Sequence, residues 1–200
     1  KILPRLTSAE ARHRFRVESS AIGSLTGHPS ILSVLRSDIT ADGHGVIVME
    51  HAERSLADQL ASDGPLPPDQ VTSIITKIAA GLDAAHQSGV LHLDVKPANV
   101  LISAFGEPKL ADFGVAAISS PPMDATIDDP GEWIFGMTPG YGPPELLEGD
   151  EPSVSTDVHL LAATAVALLS GHPPYARTGD SPLDVWRRTL TSEPDFGELG

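Results

Sequence analysis

From Val71 to Ala85 the apolar residues Val71, Ile74, Ile75, Ile78, Leu82 and Ala85 recur at intervals of three and four. That spacing predicts a helix with one buried face, and Gly89 is placed to stop it. Val158 to Leu169 is apolar on nearly every side, which in a globular chain predicts a helix enclosed all round. A third helix is expected upstream, where Thr7 or Ser8 can cap it, Glu10 sits in its first turn and the spacing runs to Leu25 before Gly27-His28-Pro29 breaks it. Strands are predicted at Lys1 to Pro4, Ile31 to Leu35 and Val46 to Met49, with Asp42-Gly43 as the turn before the last. Ser55 can cap a short helix through Leu60, after which Gly64-Pro65-Leu66-Pro67-Pro68 resets the chain. Residues 90–102 read as a loop feeding a strand and 108–114 as a strand feeding a loop, with Phe105-Gly106 at a hairpin turn. Between Ser119 and Gly142 no period survives, so a long loop of the functional kind is expected. There is no internal repeat.

Composition narrows the classes. The chain has 200 residues, 40% of them apolar, and a mean hydropathy of −0.01, which argues for a folded globular protein. It has no cysteine, which excludes disulfides, thiolate zinc sites and thiol nucleophiles, and fits a reducing cytoplasm. A net charge of −14 argues against a nucleic-acid partner, because phosphate binding draws on clustered Lys and Arg. The charge is uneven: residues 110–176 hold ten acids and no base. No run reaches the roughly 18 apolar residues of a membrane helix. The chain begins at Lys1 rather than Met and ends in loop-like residues, so it reads as a piece of a longer protein.

The chemistry concentrates in Asp94, Lys96, Asn99 and Asp112, at the ends of two short predicted strands separated by a turn. Asp and Asn oxygens suit a hard cation such as Mg²⁺, and a cation beside a lysine suits phosphate. On spacing alone, a set of surface polar residues flanking a hairpin stays an equal alternative.

The wording of these segments goes further. His92-Leu93-Asp94-Val95-Lys96-Pro97-Ala98-Asn99 resembles the catalytic loop of eukaryotic-type protein kinases, and Asp112-Phe113-Gly114 resembles their metal-binding triplet, 18 residues after Asp94. Thr138 to Glu145 looks like the substrate-binding loop and Ala-Pro-Glu motif, with Pro143 in place of Ala. Lys1-Ile2-Leu3, Phe15-Arg16-Val17-Glu18 and Met49-Glu50-His51-Ala52 look like the strand with the phosphate-binding lysine, the helix with its glutamate partner, and the gatekeeper and hinge. Essentially the whole chain is covered, and the compositional bias is similar to that of bacterial serine/threonine kinases.

The resemblance implies an α+β, two-lobed protein-kinase fold, partial here. A small β-rich N-lobe and hinge would occupy residues 1–52, and a mostly helical C-lobe residues 53–200. It implies ATP and Mg²⁺ or Mn²⁺ as cofactors, with Asp94 receiving the proton of the attacking hydroxyl and Lys96 stabilising the transferred phosphoryl. Asn99 and Asp112 would hold the metal. Lys1 would meet the phosphates and Glu18, and Met49, Glu50 and Ala52 would frame the adenine. Thr138 would belong to the substrate-binding loop. Asp157 would brace the catalytic loop from the enclosed helix. Glu145 would be a buried carboxylate whose arginine partner lies beyond residue 200, so residues 1–200 alone are expected to be unstable. His92 is read as structural, His28 as a packing residue, and the other histidines as surface.

Protein substrates are implied, and the acidity of residues 110–176 reads either as a solvated acidic loop or as a feature that favours basic substrates. Leu93 stands where many kinases carry an arginine that receives an activation-loop phosphate, so activity is expected not to depend strongly on that phosphate. A pseudokinase acting as a binding or scaffold module and a small-molecule phosphotransferase of the same fold are the alternatives.

Overall fold

A computed structural model of the chain describes residues 1–113 and 138–197, the side chains of Arg14 and Glu18 excepted. The first layer is an antiparallel sheet of β1 (Ile2–Arg5), β2 (Val34–Ile39) and β3 (His44–Met49) in the order β1-β3-β2. Helix α1 (Ala9–Ser24) lies against it, with the Ser8 hydroxyl accepting from the Ala11 N–H at 3.0 Å as its cap. Phe15 explains the glycine at 45. A Cβ there would lie 3.0 Å from the Phe15 ring, so the absent side chain lets the helix approach the sheet. Leu3, Leu6, Phe15 and Ile47 form the small core between them.

The second layer is an antiparallel sheet of β4 (Ala52–Ser55), β5 (Val100–Ser103) and β6 (Pro108–Leu110), again three strands in chain order. Around it stand α2 (Leu56–Asp63), α3 (Pro68–Gln87), α4 (Pro144–Leu147), α5 (Val154–Ser170) and α6 (Pro182–Thr191). The expected stripe on α3 is its buried face: Val71, Ile74, Ile78, Leu82 and Ala85 are all at most 6% exposed. α5 ends as its sequence demands, on Gly171 at φ 90°, a left-handed conformation that glycine adopts without a Cβ penalty. The larger core joins α3 and α5 to Ile22 of α1 and to Leu25 at its C-cap, so α1 serves both cores.

Some boundaries differ from the sequence reading. The expected strand at Ile31–Leu35 is displaced to Val34–Ile39, and Ile31 and Leu32 are instead core residues, 1% and 4% exposed, on a segment that bonds to β6 through Leu110. Burial of both successive side chains there replaces the alternation of a half-exposed strand. β4, α4 and α6 were not anticipated. Of the expected long loop at 119–142, residues 119–137 lie outside the described residues. Among the described residues no helix is long and apolar enough to cross a membrane.

Candidate active site

Asp94 sits in the turn before a single 3₁₀ turn, Pro97–Asn99, that leads into β5. Its carboxylate is held from three sides. Oδ2 accepts from Asn99 Nδ2 at 2.7 Å and pairs with Lys96 Nζ at 2.8 Å, while Oδ1 accepts the Thr138 hydroxyl at 2.9 Å. Lys96 Nζ also donates to that Thr138 oxygen. Asn99 is buried and gives a second bond to the Asp94 carbonyl at 2.8 Å. With its amide nitrogen so fixed, the other amide atom, Asn99 Oδ1, is left to act as an acceptor.

Asp112 arrives from the next strand. The Ala111 N–H donates to the Asn99 carbonyl at 2.8 Å, which sets Asp112 beside Asn99. Lys1 Nζ lies 3.0 Å from Asp112 Oδ1, joining the first sheet to the second at this point. Lys1, Met49, Asp112 and Phe113 line one small cavity. Asp112 and Leu93 both hold left-handed backbone, φ 65° and 62°, at a cost of roughly 1–2 kcal/mol each. Such strain persists only where surrounding bonds fix it, and it gathers at functional sites.

For the loop those bonds come from α5. Asp157, in its first turn, has no exposed surface and accepts from the His92 N–H at 2.8 Å and the Leu93 N–H at 2.7 Å. His86 Nε2 of α3 lies 2.7 Å from the same carboxylate. His86 is therefore an inward-facing residue, not the surface one its sequence position implies. Thr164, about two turns further along the same face of α5, donates to the Val95 carbonyl at 3.1 Å. His92 is fully buried, with Nε2 2.9 Å from the Ala111 carbonyl, Nδ1 accepting from the Asp94 N–H, and its ring edge-on to Phe113 at 4.6 Å. Burial pushes its pKa down, so the neutral ring that this bonding pattern requires is the stable one. Tyr141, beside Thr138 in the chain, is pushed up to about 12 by burial and by the Asp94 charge, and stays protonated.

The remaining predicted residues are placed as follows. Met49 ends β3. Glu50 turns its side chain to Lys109 of β6, an ion pair, and accepts the Ser33 N–H at 3.2 Å. Ala52 opens β4, in register with Ser103 of β5. Glu18 lies on α1, and its side chain is outside the described residues, as are Gly114 and the acids Asp124, Asp128, Asp129 and Glu132. Glu145 is half-buried rather than buried, because α4 is short and leaves it at the edge of the lobe. Its charge reaches His159 and Tyr175, whose rings stack at 6.3 Å; His159 is a second histidine that is not a simple surface residue. His28 caps the turn to Ser30, accepting its N–H at 3.2 Å.

Among the described residues no three His, Asp or Glu converge as a metal cage. The donors fit a different scheme. One amide oxygen from Asn99 and one carboxylate from Asp112 suit Mg²⁺, which is held by one or two protein oxygens and completes its shell with phosphate and water.

The protein kinase domain family matches residues 1–192. The chain belongs to the protein kinase family. This kinase domain is 38% identical over 195 residues, 97% of its length, to the serine/threonine-protein kinase PknK of Mycobacterium tuberculosis. It is 35% identical over 185 residues to PknB of Mycobacterium leprae and 37% identical over 183 residues to PknL of Mycobacterium tuberculosis, in each case across 90% of the kinase domain. It spans 17% of the length of PknK, 29% of that PknB and 43% of PknL. These three relatives are bacterial proteins named serine/threonine kinases, and the two sheets and helical lobe are the two-lobed kinase fold in part.

Proposed function

We propose that residues 1–52 and 53–200 are the two lobes of a catalytic domain that transfers the γ-phosphoryl group of ATP to Ser or Thr hydroxyls of protein substrates. The observation that carries this reading is the Asp94 carboxylate. Asn99 and Lys96 hold one of its oxygens, and the other already accepts a threonine hydroxyl at 2.9 Å. A substrate hydroxyl at that oxygen is oriented for attack. As its oxygen bonds the γ-phosphorus and the bond to the ADP oxygen breaks, its proton passes to Asp94. Lys96 keeps positive charge beside the transferred group.

Asn99 Oδ1 and Asp112 would hold Mg²⁺ or Mn²⁺, which when bound neutralises charge on the nucleotide phosphates. Lys1 and Glu18 would position those phosphates, and the Glu50 carbonyl and Ala52 N–H would take the adenine edge beside Met49. Thr138 would line the acceptor side, and Asp157 and Glu145 would support the loop and the lobe. For substrates, the acid-rich stretch from residue 110 to 176 supports a preference for basic sequences. A pseudokinase is not favoured: Leu93 and Pro143 depart from the family pattern, but Asp94, Lys96, Asn99 and Asp112 are all present and Asp94 is bonded to both Lys96 and Asn99.

The test is phosphosite mapping by mass spectrometry on the full-length protein incubated with ATP and Mg²⁺. Phosphoserine and phosphothreonine are expected, and Asp112→Asn should remove them. No phosphorylation, or phosphorylation unaffected by Asp112→Asn, overturns the proposal.

A further inference from the structure

Val95 stands between Asp94 and Lys96, the two residues assigned above to proton and phosphoryl, and has no exposed surface. Its carbonyl belongs to the same planar peptide unit as the Lys96 N–H, so whatever holds that carbonyl sets the direction from which the lysine side chain starts. Among the described residues the one hydrogen bond that this carbonyl receives comes from Thr164 Oγ1, at 3.1 Å. Thr164 is itself fully buried, in a run of α5 from Leu160 to Leu169 whose other members are all Ala, Val or Leu. The same hydroxyl lies 2.8 Å from the Leu160 carbonyl one turn back, an oxygen that the helix ladder already serves. The helix does not need the hydroxyl; the loop does.

We infer that Thr164 is a positioning residue for phosphoryl transfer: through the Val95 carbonyl it fixes the peptide unit that carries Lys96, and so the lysine ammonium beside Asp94. The inference rests on the roles proposed above for Asp94 and Lys96 and deepens them. α5 grips the loop at two points. Asp157 accepts the N–H groups of His92 and Leu93 before Asp94, and Thr164, about two turns on along the same face, donates to the carbonyl after it. A carboxylate and a hydroxyl on one rigid helix thus meet two donors and one acceptor of the loop. Without the hydroxyl the Val95 carbonyl is a buried acceptor with no partner, and its peptide unit gains by turning toward another donor. Lys96 holds extended backbone, φ −158° and ψ 163°, while its Nζ lies 2.8 Å from Asp94 Oδ2 and donates to Thr138. A rotation at its N–H carries that ammonium away from both. Asn99 and Asp112, on the metal side, keep the separate backbone bonds that place them.

The test uses the full-length protein with ATP, Mg²⁺ and one serine peptide. It compares wild type with Thr164→Val, which keeps the side-chain shape and removes the hydroxyl, and Thr164→Ser, which keeps the hydroxyl. For Thr164→Val, kcat is expected to fall about tenfold while the Kd for ATP, by calorimetry, stays within about twofold. Thr164→Ser should recover most of the rate despite its lost methyl group. Combined with Lys96→Ala, Thr164→Val should cost little further, since its effect runs through that lysine. An undiminished kcat for Thr164→Val, a loss that Thr164→Ser shares in full, or a full additional loss in the Lys96→Ala background overturns the inference and leaves the proposed function standing. So does failure of Thr164→Val to fold, read as Tm, which would make the hydroxyl a bond of the fold alone. If the wild type phosphorylates no peptide, the proposed function falls and the positioning role with it.

Discussion

Asp157 shows how one side chain can set the geometry of a distant loop. Its carboxylate has no exposed surface and takes two backbone N–H groups and one imidazole nitrogen. Removing it leaves the His92 and Leu93 N–H groups buried without acceptors, each at about 1–3 kcal/mol. Asp157→Ala should therefore lower unfolding free energy in urea by about 3 kcal/mol or more, and Asp157→Asn by less, since one oxygen remains; equal, small losses would show that the brace is dispensable. Leu93 is fixed by the same residue in left-handed backbone and carries no charge to receive a phosphate. Full-length protein treated with a phosphatase should transfer phosphoryl at a rate comparable to the phosphorylated form, measured on one peptide. A large loss would show that another cation replaces the arginine.

At the scale of elements, β6 is tied to the first layer twice. Leu110 bonds with Ser30 and Leu32 through the backbone, and Lys109 pairs with Glu50, whose carboxylate is also fixed by the Ser33 N–H. Three residues beyond Lys109 stands Asp112. The pair thus links the expected adenine edge to the expected metal strand, and both members are mostly covered, 16% and 28% exposed. Lys109→Met is expected to raise the KM for ATP about tenfold, the equivalent of roughly 1.4 kcal/mol, with a smaller change in kcat, and Lys109→Arg should restore it. An unchanged KM would reduce the pair to surface decoration. These elements also show what periodicity can and cannot read. α3 was legible because its stripe repeats over four turns. The run Ile31–Leu35 was not, because a short apolar stretch fits a buried connection as well as a strand. α6 carries a readable signal of its own: Ser181 and Asp184 form a capping box, with Ser181 Oγ donating to Asp184 at 2.6 Å.

Across the whole molecule, the residues that one motif keeps close in sequence, Asp94, Lys96 and Asn99, were legible as a cluster, with Asp112 as its neighbour. The partners of Glu50, Asp157 and Val95 were not. Lys109, His86 and Thr164 lie 59, 71 and 69 residues away from them, and only the packed fold brings them together. The same packing sets a pH response. His92 is depressed by burial below the ordinary 6.5, and His159 is lowered too, so below about pH 6.5 the unfolded chain binds protons that the folded one refuses. Stability should fall as pH drops from 7 toward 5, read as a declining Tm. The lowered carboxylates, such as Asp58 and Asp180, act only below about pH 4. A Tm that is flat or rising between pH 7 and 5 would contradict the buried neutral histidine.

The most direct measurement is transfer of the γ-phosphoryl group of ATP to a serine peptide by full-length wild type and Asp94→Asn, with ATP affinity measured on both by calorimetry in Mg²⁺. If Asp94 receives the hydroxyl proton, kcat falls by about 10²–10⁴-fold while nucleotide affinity is preserved. Transfer by Asp94→Asn at the wild-type rate, with ATP bound equally well, would contradict it.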